Sequence, residues 1–292
     1  MPEWPVEGGR ARVGALELEY EVFGDRSLPA VLLISGLGSQ LLGWSDGLCE
    51  EIAGRGFQVI RFDNRDIGLS TKIEDGSAYT LSDMAADAAG LLDVLGIPAA
   101  HVAGASMGGM IAQLLALEHA QKVLTLTIVM SNLGGEDSIL AEPEVSARLL
   151  LPPPATREER IEQTVETTRI TWGPSFEEER ARARATRAID RSFYPAGAMR
   201  QARAMIATPS RRRALAGLRV PVLVIHGDCD PLVPFANGEL IAASVPGAEL
   251  HVMKDVGHEM PPREWPAIAD GIARLAGVGE RSRTSTGFPN SS

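Results

Sequence analysis

The stretch that decides the fold is HVAGASMGGMIAQLLALEH, which occupies residues 101–119. It begins with an apolar run of strand length and continues with the spacing of an apolar helix from Met107 to His119. Between the two, GASMG matches the pattern G-x-S-x-G, in which a serine stands on a sharp turn from a strand into a helix. The helix N-terminus favours negative charge that develops beside that serine. The stretch therefore predicts that Ser106 is a nucleophile. The alternative is a glycine-rich turn that has no catalytic role.

A histidine is required next, because a serine hydroxyl is a weak nucleophile near neutral pH unless a base accepts its proton. His101 and His251 fall in apolar strands, where a structural role is expected. His119 ends a helix, where the helix dipole favours its charge. His226 ends a strand directly before a turn. His258 lies in the loop sequence DVGHEMPP after the last strand, and we predict it to be the base.

The histidine needs an acid that fixes its tautomer and stabilises its charged form. The sequence HGDCDPLVP, residues 226–234, offers two aspartates after the preceding strand. We assign the role to Asp230, which stands directly before a proline, and expect Asp228 to form hydrogen bonds within the turn. The chain order Ser106, Asp230, His258 is the order associated with the G-x-S-x-G turn.

Stabilising the oxyanion of an acyl-transfer reaction requires two backbone N–H donors. One is expected to be the amide of Met107, directly after the nucleophile. The other is assigned by position to the amide of Leu37, in the sequence ISGLG after the first inner strand. Taken alone, ISGLG is equally compatible with a plain glycine-rich turn.

The rest of the chain alternates short apolar runs with segments of helical spacing, which is typical of a largely parallel sheet with crossover helices. A hairpin is expected within residues 11–23. Further strands are expected at residues 31–35, 58–62, 101–105, 124–130, 220–226 and 249–253. Helices are expected at residues 46–54, 81–95, 107–119, 235–243 and 266–275. The chain is therefore predicted to be an α/β protein with one mostly parallel sheet flanked by helices.

One long segment interrupts this alternation. Residues 131–218 show helical spacing and several prolines without a strand pattern, and they predict a helical lid inserted between the sixth and seventh strands. Residues 1–130 and 219–278 then form the sheet domain. Residues 279–292 are mostly polar and rich in Ser, Thr and Gly, and are expected to be a disordered tail.

Composition narrows the class of protein. A net charge of −10 disfavours nucleic acid as a partner. The longest apolar runs are only of strand length, so no membrane span is expected. The first residues do not resemble a secretion signal, and two cysteines cannot form a disulfide framework, so a cytoplasmic protein is expected. Neither H-x-x-x-H nor C-x-x-C spacing occurs, so no metal is expected. No cofactor is expected either, because the serine and the histidine supply both the nucleophile and the proton transfers.

Aromatic and methionine side chains in and near the lid are expected either to line an apolar substrate pocket or to form the lid core. The residues assigned to the pocket are Trp44, Trp172, Phe193 and Tyr194, with Phe176, Met199 and Met205 as further candidates. The arginine-rich runs at residues 180–184 and 211–213 could bind a phosphate or a carboxylate. We expect solvated helix faces there instead, because glutamates adjoin the first run and the net charge is acidic.

Taken together, the motifs resemble the α/β-hydrolase superfamily over nearly the whole chain outside the lid. The resemblance rests on SGLG, DNRDIGLS, the serine turn, the Asp230 turn and the Gly257-His258 pair. Shorter pieces (GW, IRFD, RD and HV) resemble the group of aclacinomycin methylesterase-like and other carboxylesterase-like hydrolases. The chain departs from the common pattern at Ser35, where many relatives have histidine, and at Asp66, where many have glycine; the second change is expected to affect turn geometry.

The resemblance implies a serine esterase that cleaves small-molecule esters through an acyl-enzyme, without a cofactor. Haloalkane dehalogenases and epoxide hydrolases are disfavoured, because they use an aspartate where this chain has Ser106. Cofactor-free perhydrolases (haloperoxidases) and hydroxynitrile lyases keep the serine triad, and receptor-type relatives keep it in a ligand-binding module. A perhydrolase-like enzyme and a binding module with little turnover are therefore the alternatives.

Overall fold

The computed structural model describes residues 6–149 and 151–285. Its eight strands are β1 Glu7–Val13, β2 Leu16–Phe23, β3 Ala30–Ile34, β4 Gln58–Phe62, β5 Ala100–Ala105, β6 Val123–Val129, β7 Val222–Gly227 and β8 Glu249–Met253. They form one sheet in the order β1-β2-β4-β3-β5-β6-β7-β8. The β1–β2 and β2–β4 pairs are antiparallel and every other pair is parallel. The predicted mostly parallel sheet is confirmed.

Ten α-helices accompany the sheet in the described residues. They are α1 Asp46–Ala53, α2 Leu81–Val94, α3 Met107–Glu118, α4 Pro143–Leu149, α5 Arg157–Trp172, α6 Glu178–Arg191, α7 Pro195–Ala207, α8 Arg212–Leu215, α9 Ala236–Ser244 and α10 Trp265–Ser285. None of these helices combines the length and the apolar character that crossing a membrane requires.

The core is divided by the sheet into two apolar layers. Every residue of β3 and β5 is buried, because strands covered on both faces bury all of their side chains. Alternate side chains of β3 enter opposite layers. Leu32 packs with the layer that contains α2 and α3, whereas Val31 packs with the layer that contains α1 and α10.

Helix α2 begins as its sequence predicts. The Thr80 hydroxyl accepts a hydrogen bond from the Asp83 amide (3.1 Å), and the Asp83 carboxylate accepts one from the Thr80 amide (2.8 Å). This reciprocal pair satisfies N–H groups that have no partner inside the helix.

The segment between β6 and β7 contains five helices, α4 to α8. These helices agree with the helical spacing of residues 131–218. Helix α7 begins with Pro195, because proline is well suited to the first turn of a helix, where its missing N–H would have no partner.

The expected tail boundary is wrong. Helix α10 continues to Ser285, so residues 279–285 are helical rather than disordered. This segment contains good helix formers, namely Glu280, Arg281 and Arg283. Its high content of Ser, Thr and Gly nevertheless indicated disorder. Residues 286–292, the rest of the expected tail, lie outside the described residues.

Parallel strands end at a common edge of the sheet, and this edge positions the site. Residues at the carboxyl ends of β5, β7 and β8 lie beside one another even though they are far apart in sequence. Ser106 follows β5 directly, Asp230 follows β7, and His258 follows β8. The fold therefore gathers all three sequence-predicted residues at one edge.

Candidate active site

Ser106 has the strained backbone that its motif predicts. Its φ of 56° and ψ of −123° place it in a region that side-chain-bearing residues rarely adopt. A Cβ atom on Gly104 would collide with the carbonyl of Gly108, and one on Gly108 would collide with the carbonyl of Ile34. Both flanking positions therefore require glycine for the strand and the helix to pass this closely.

Two hydrogen bonds hold the Ser106 backbone in place. Its amide donates to the Val129 carbonyl (2.9 Å), and its carbonyl accepts from the Ser131 hydroxyl (2.7 Å). Both partners come from β6 and the residues after it. The strain at Ser106 is thus supported by the neighbouring strand.

His258 and Asp230 form a short side-chain hydrogen bond. The distance from His258 Nδ1 to Asp230 Oδ2 is 2.7 Å, and the Asp230 side chain is fully buried. The other oxygen of Asp230, Oδ1, accepts from the amides of Leu232 (2.9 Å) and Val233 (2.8 Å). The aspartate is therefore fixed by its own loop and faces the histidine with one oxygen.

The charge of Asp230 is stabilised despite burial. Burial by itself raises the pKa of this carboxyl group, but the charge of His258 and hydrogen bonds from His226, His258 and the Val233 amide outweigh it. The net result is a pKa lowered to about 2. An ionised Asp230 keeps the proton of neutral His258 on Nδ1, so Nε2 is left to accept a proton.

The loop that contains His258 is held by the helical insertion. The His258 amide donates to the Thr171 carbonyl (2.7 Å) and the Gly257 amide donates to the Trp172 carbonyl (3.1 Å). A Cβ atom on Gly257 would lie 2.5 Å from both of these carbonyl oxygens. The last turn of α5 therefore positions the histidine, a role that the sequence pattern does not reveal.

Ser106 and His258 line the same cavity, whose volume is about 410 Å³. Its walls are mostly apolar and come from both the sheet domain and the insertion. Trp44, Trp172 and Met205, which were candidates for the substrate pocket, lie in these walls. A cavity of this size and character suits a small organic molecule.

Phe193 and Tyr194 do not line this cavity, which corrects the sequence-based assignment. The Phe193 ring lies under the guanidinium of Arg160, 4.2 Å from its centre, and 39% of the residue is exposed. The Tyr194 hydroxyl accepts a hydrogen bond from Arg200 (3.1 Å). Aromatic composition alone does not tell which face of the insertion a ring occupies.

The loop after β3 offers a free amide, that of Leu37, beside the nucleophile. A Cβ atom on Gly36 would lie 3.1 Å from Ser106 Cβ, so the two segments are in contact. The Gly38 amide donates to Gln201 Oε1 (3.0 Å) and the Ser39 amide donates to the Gly36 carbonyl (3.1 Å). The amide of Leu37 has no hydrogen-bond partner among the described residues.

Met107 supplies the second candidate donor. It is the first residue of α3, and the first amides of a helix have no intrahelical acceptor. The fold gives neither the Leu37 amide nor the Met107 amide a hydrogen-bond acceptor, so both amides are available to donate to an oxyanion. Gln201, which occupies the neighbouring Gly38 amide, was not identified from the sequence, because a lone glutamine in a helix carries no recognisable signal.

The other aspartate and two of the other histidines have structural partners. Asp228 Oδ1 accepts from the Asp255 amide (2.8 Å), a hydrogen bond between adjoining loops. His101 Nδ1 lies 3.0 Å from the Thr125 hydroxyl. His226 Nε2 lies 2.8 Å from a backbone carbonyl oxygen and 3.6 Å from Asp230. His226 thus supports the acid rather than replacing His258.

The two departures from the superfamily pattern have visible consequences. Asp66 adopts a φ of 72°, a conformation that favours glycine, and its carboxylate is bonded by Arg200 at 2.7 Å and 2.9 Å. Ser35 lines the cavity, and its buried hydroxyl has no hydrogen-bond partner among the described residues. The change at Asp66 therefore affects more than the turn, because it also anchors α7.

The expectation that the arginine runs are solvated faces is only partly correct. Arg184 lines the cavity, and Arg211 is buried, where its Nε atom donates to Gln113 (2.9 Å). Arg180 pairs with the buried carboxylate of Glu259 at 2.6 Å. The adjoining glutamates do not distinguish an arginine that faces solvent from one that faces inward.

Across residues 6–149 and 151–285, no cluster of three or more His, Cys, Asp or Glu side chains could hold a metal ion.

Comparison with known proteins places the chain in a family. The family model of the α/β hydrolase fold matches residues 29–262. Rhodomycin D methylesterase DauP of Streptomyces sp. (strain C5) is 33% identical over 267 residues, which cover 82% of this chain and 88% of that protein. The Streptomyces peucetius protein DnrP, also a rhodomycin D methylesterase, shows the same identity and coverage.

A solved structure agrees with these relatives. The crystal structure of the enol-lactonase from Burkholderia xenovorans LB400 matches with a TM-score of 0.76 and 25% identity, covering 92% of this chain and 100% of the lactonase chain. The matched segment includes the serine turn, the Asp230 turn and the His258 loop. The expected resemblance is confirmed: the chain belongs to the α/β-hydrolase fold family.

Proposed function

We propose that the protein is a serine hydrolase that cleaves carboxylic esters of small molecules through an acyl-enzyme. The observation that carries this proposal is the 2.7 Å contact between His258 and buried Asp230, on the cavity that Ser106 also lines. The methylesterases and the enol-lactonase described above support the same class of reaction, since each name refers to an enzyme that opens an ester bond.

The first half-reaction forms the acyl-enzyme. Ser106 Oγ attacks the carbonyl carbon of the ester while His258 Nε2 accepts the hydroxyl proton. Asp230, ionised because its pKa is low, stabilises the positive charge that forms on His258. The imidazolium then protonates the departing alcohol as the carbon–oxygen bond breaks.

The tetrahedral intermediate places a negative charge on the former carbonyl oxygen. The free amides of Leu37 and Met107 are the donors for this oxyanion, and the N-terminus of α3 adds a favourable dipole. Because these amides belong to fixed backbone, they need little reorganisation as the charge develops.

The second half-reaction releases the acid. Water takes the place of the alcohol, His258 removes its proton, and the same donors stabilise the second intermediate. Serine, histidine and aspartate supply the nucleophile and the proton transfers, so the proposed reaction uses no cofactor. Residues 131–218 act as a lid that limits substrate size and excludes water during turnover.

The proposal is tested with a panel of esters graded by acyl and alcohol size, using the parent and Ser106→Ala. The variant should fold normally and lose about 10³-fold or more of kcat/KM, because its side chain cannot accept the acyl group. Parent-level hydrolysis by Ser106→Ala would refute the mechanism. A binding module with little turnover would show binding of the esters without hydrolysis by the parent.

A further inference from the structure

The arginines of α6 fall into two groups. Four of them have carboxylate partners: Arg180 with Glu259 (2.6 Å), Arg182 with Glu162, Arg187 with Asp46 (2.7 Å) and Arg191 with Asp63 (2.7 Å). Arg184 is the exception. Among the described residues, its side chain has neither a hydrogen bond nor an ion pair.

Arg184 lies on the face of α6 that forms the cavity wall. Ala181, Ala185 and Ala188 line the cavity together with it, and these positions share one face of a helix. The residue is exposed and borders the cavity. Desolvation by the protein around it lowers the pKa of its guanidinium.

The neighbours of Arg184 leave its positive charge only partly compensated. Its Cζ atom lies 5.7 Å from the centre of the Trp172 ring, and Arg180 lies 4.2 Å from the same ring. Glu259 is the anion in this group, and it is paired with Arg180. Two arginines therefore share one carboxylate, which leaves excess positive charge beside the cavity that Arg184 and Glu259 both border.

We propose that Arg184 binds an anionic group of the substrate, so that the favoured esters bear a carboxylate in addition to the ester bond. A guanidinium can bind a carboxylate through two parallel hydrogen bonds, and such charge-assisted bonds are stronger than those between neutral groups. The other α6 residues of the wall are alanines, which suit the apolar part of such a molecule. This inference rests on the proposed function, since both use the same cavity.

The test uses two pairs of esters that are matched in length and differ in charge. Monomethyl adipate and methyl hexanoate place the charge on the acyl side, while 5-acetoxypentanoate and pentyl acetate place it on the alcohol side. In at least one pair, Arg184→Met should lower kcat/KM for the charged ester about 10- to 100-fold more than for the neutral one. Arg184→Lys should retain part of the preference, because it keeps the charge but not the planar fork.

Arg182→Gln is the matched control, because it removes an arginine of the same helix whose partner is Glu162 on the surface. It should change the ratio of charged to neutral ester less than twofold. Equal charged-to-neutral ratios for the parent and Arg184→Met in both pairs would overturn the inference while leaving a Ser106-dependent esterase intact.

A binding measurement separates this inference from the catalytic proposal. In calorimetry with Ser106→Ala, the charged member of the preferred pair should bind about 10-fold or more tightly than the neutral one. Adding Arg184→Met should remove that difference. Equal affinity of Ser106→Ala for the charged and the neutral ester would exclude the anion site, and so would a preference for the charged ester that persists after Arg184→Met. Both conclusions hold whether or not the parent hydrolyses the esters.

Discussion

The Asp230 carboxylate is bonded by its own loop on one oxygen and by His258 on the other. Asp228, two residues earlier, instead accepts from the Asp255 amide and from Lys254. Asp230→Asn should lower kcat by about 10³-fold or more, because an amide at this position no longer favours a proton on Nδ1 of His258.

Asp228→Asn is the matched control for this substitution and should change kcat only a few-fold. Steady-state kinetics on one well-hydrolysed ester, with circular dichroism to verify folding, makes the comparison. A larger loss at Asp228 than at Asp230 would transfer the role of the acid to Asp228.

The low pKa of Asp230 predicts a pH dependence of stability. Interactions in the folded protein lower the pKa from 3.8 to about 2, so the group stabilises the fold above pH 3.8 and this contribution decreases as pH falls toward 2. Between pH 5 and pH 3 the parent should lose about 1 kcal/mol of unfolding free energy relative to Asp230→Asn.

Urea unfolding of the parent and Asp230→Asn at the two pH values measures this difference. A difference in unfolding free energy between the parent and Asp230→Asn that stays constant, or that increases from pH 5 to pH 3 in favour of the parent, would contradict a lowered pKa at Asp230.

At the residue scale, the sequence could predict those side chains whose backbone setting has a local signature. Ser106 has its glycine-flanked turn, and Asp230 and His258 have loops directly after strands. Phe193 and Arg184 have no such signature, because their exposure depends on how the helices of the insertion pack against the sheet domain. The prediction that Phe193 lines the pocket is therefore wrong, and the sequence does not show that exposed Arg184 borders the cavity.

The helical insertion is joined to the catalytic loops by specific hydrogen bonds. In α7, the side chain of Gln201 accepts from the Gly38 amide (3.0 Å) and donates to the Arg65 carbonyl (3.0 Å). Gln201 is completely buried. A single side chain thus fixes the loop that presents the Leu37 amide.

Gln201→Leu should remove both hydrogen bonds, at a cost of about 0.5–1.5 kcal/mol each. The loop then relaxes, and kcat should fall about 10-fold or more while KM changes little, because the oxyanion is stabilised in the transition state and not in the bound ester.

Gln163→Leu, at a half-buried glutamine of α5 that donates to the Pro152 carbonyl, is the matched control and should leave kcat within twofold. A Gln201→Leu protein with a lower Tm but parent kcat would show that Gln201 stabilises the insertion without positioning the oxyanion loop.

At the scale of elements, strand positions were predictable to within a few residues, since apolar runs of strand length are distinct. The helices of the insertion were harder. Pro195 begins α7 rather than interrupting the chain, and α10 extends past Leu275 through a polar stretch to Ser285. At α10 the polar composition indicated a disordered tail from residue 279, whereas the helix continues to Ser285.

The whole molecule brings together residues from distant parts of the chain. The parallel order of β5, β6, β7 and β8 places three loop ends at one edge, and this much follows from the alternation of strands and helices in the sequence. The cavity does not follow from it, because its wall depends on how α5, α6 and α7 lie over that edge. Burial of the Arg180–Glu259 pair is one result of this packing.

The central claim is that Ser106 is activated by His258 at this edge, and covalent labelling tests it most directly. A fluorophosphonate should modify the folded parent at a single serine, identified by peptide mass mapping as Ser106. His258→Ala should react about 10³-fold more slowly, because no base removes the hydroxyl proton. Equal labelling rates in the two proteins, or modification at another residue, would contradict the account.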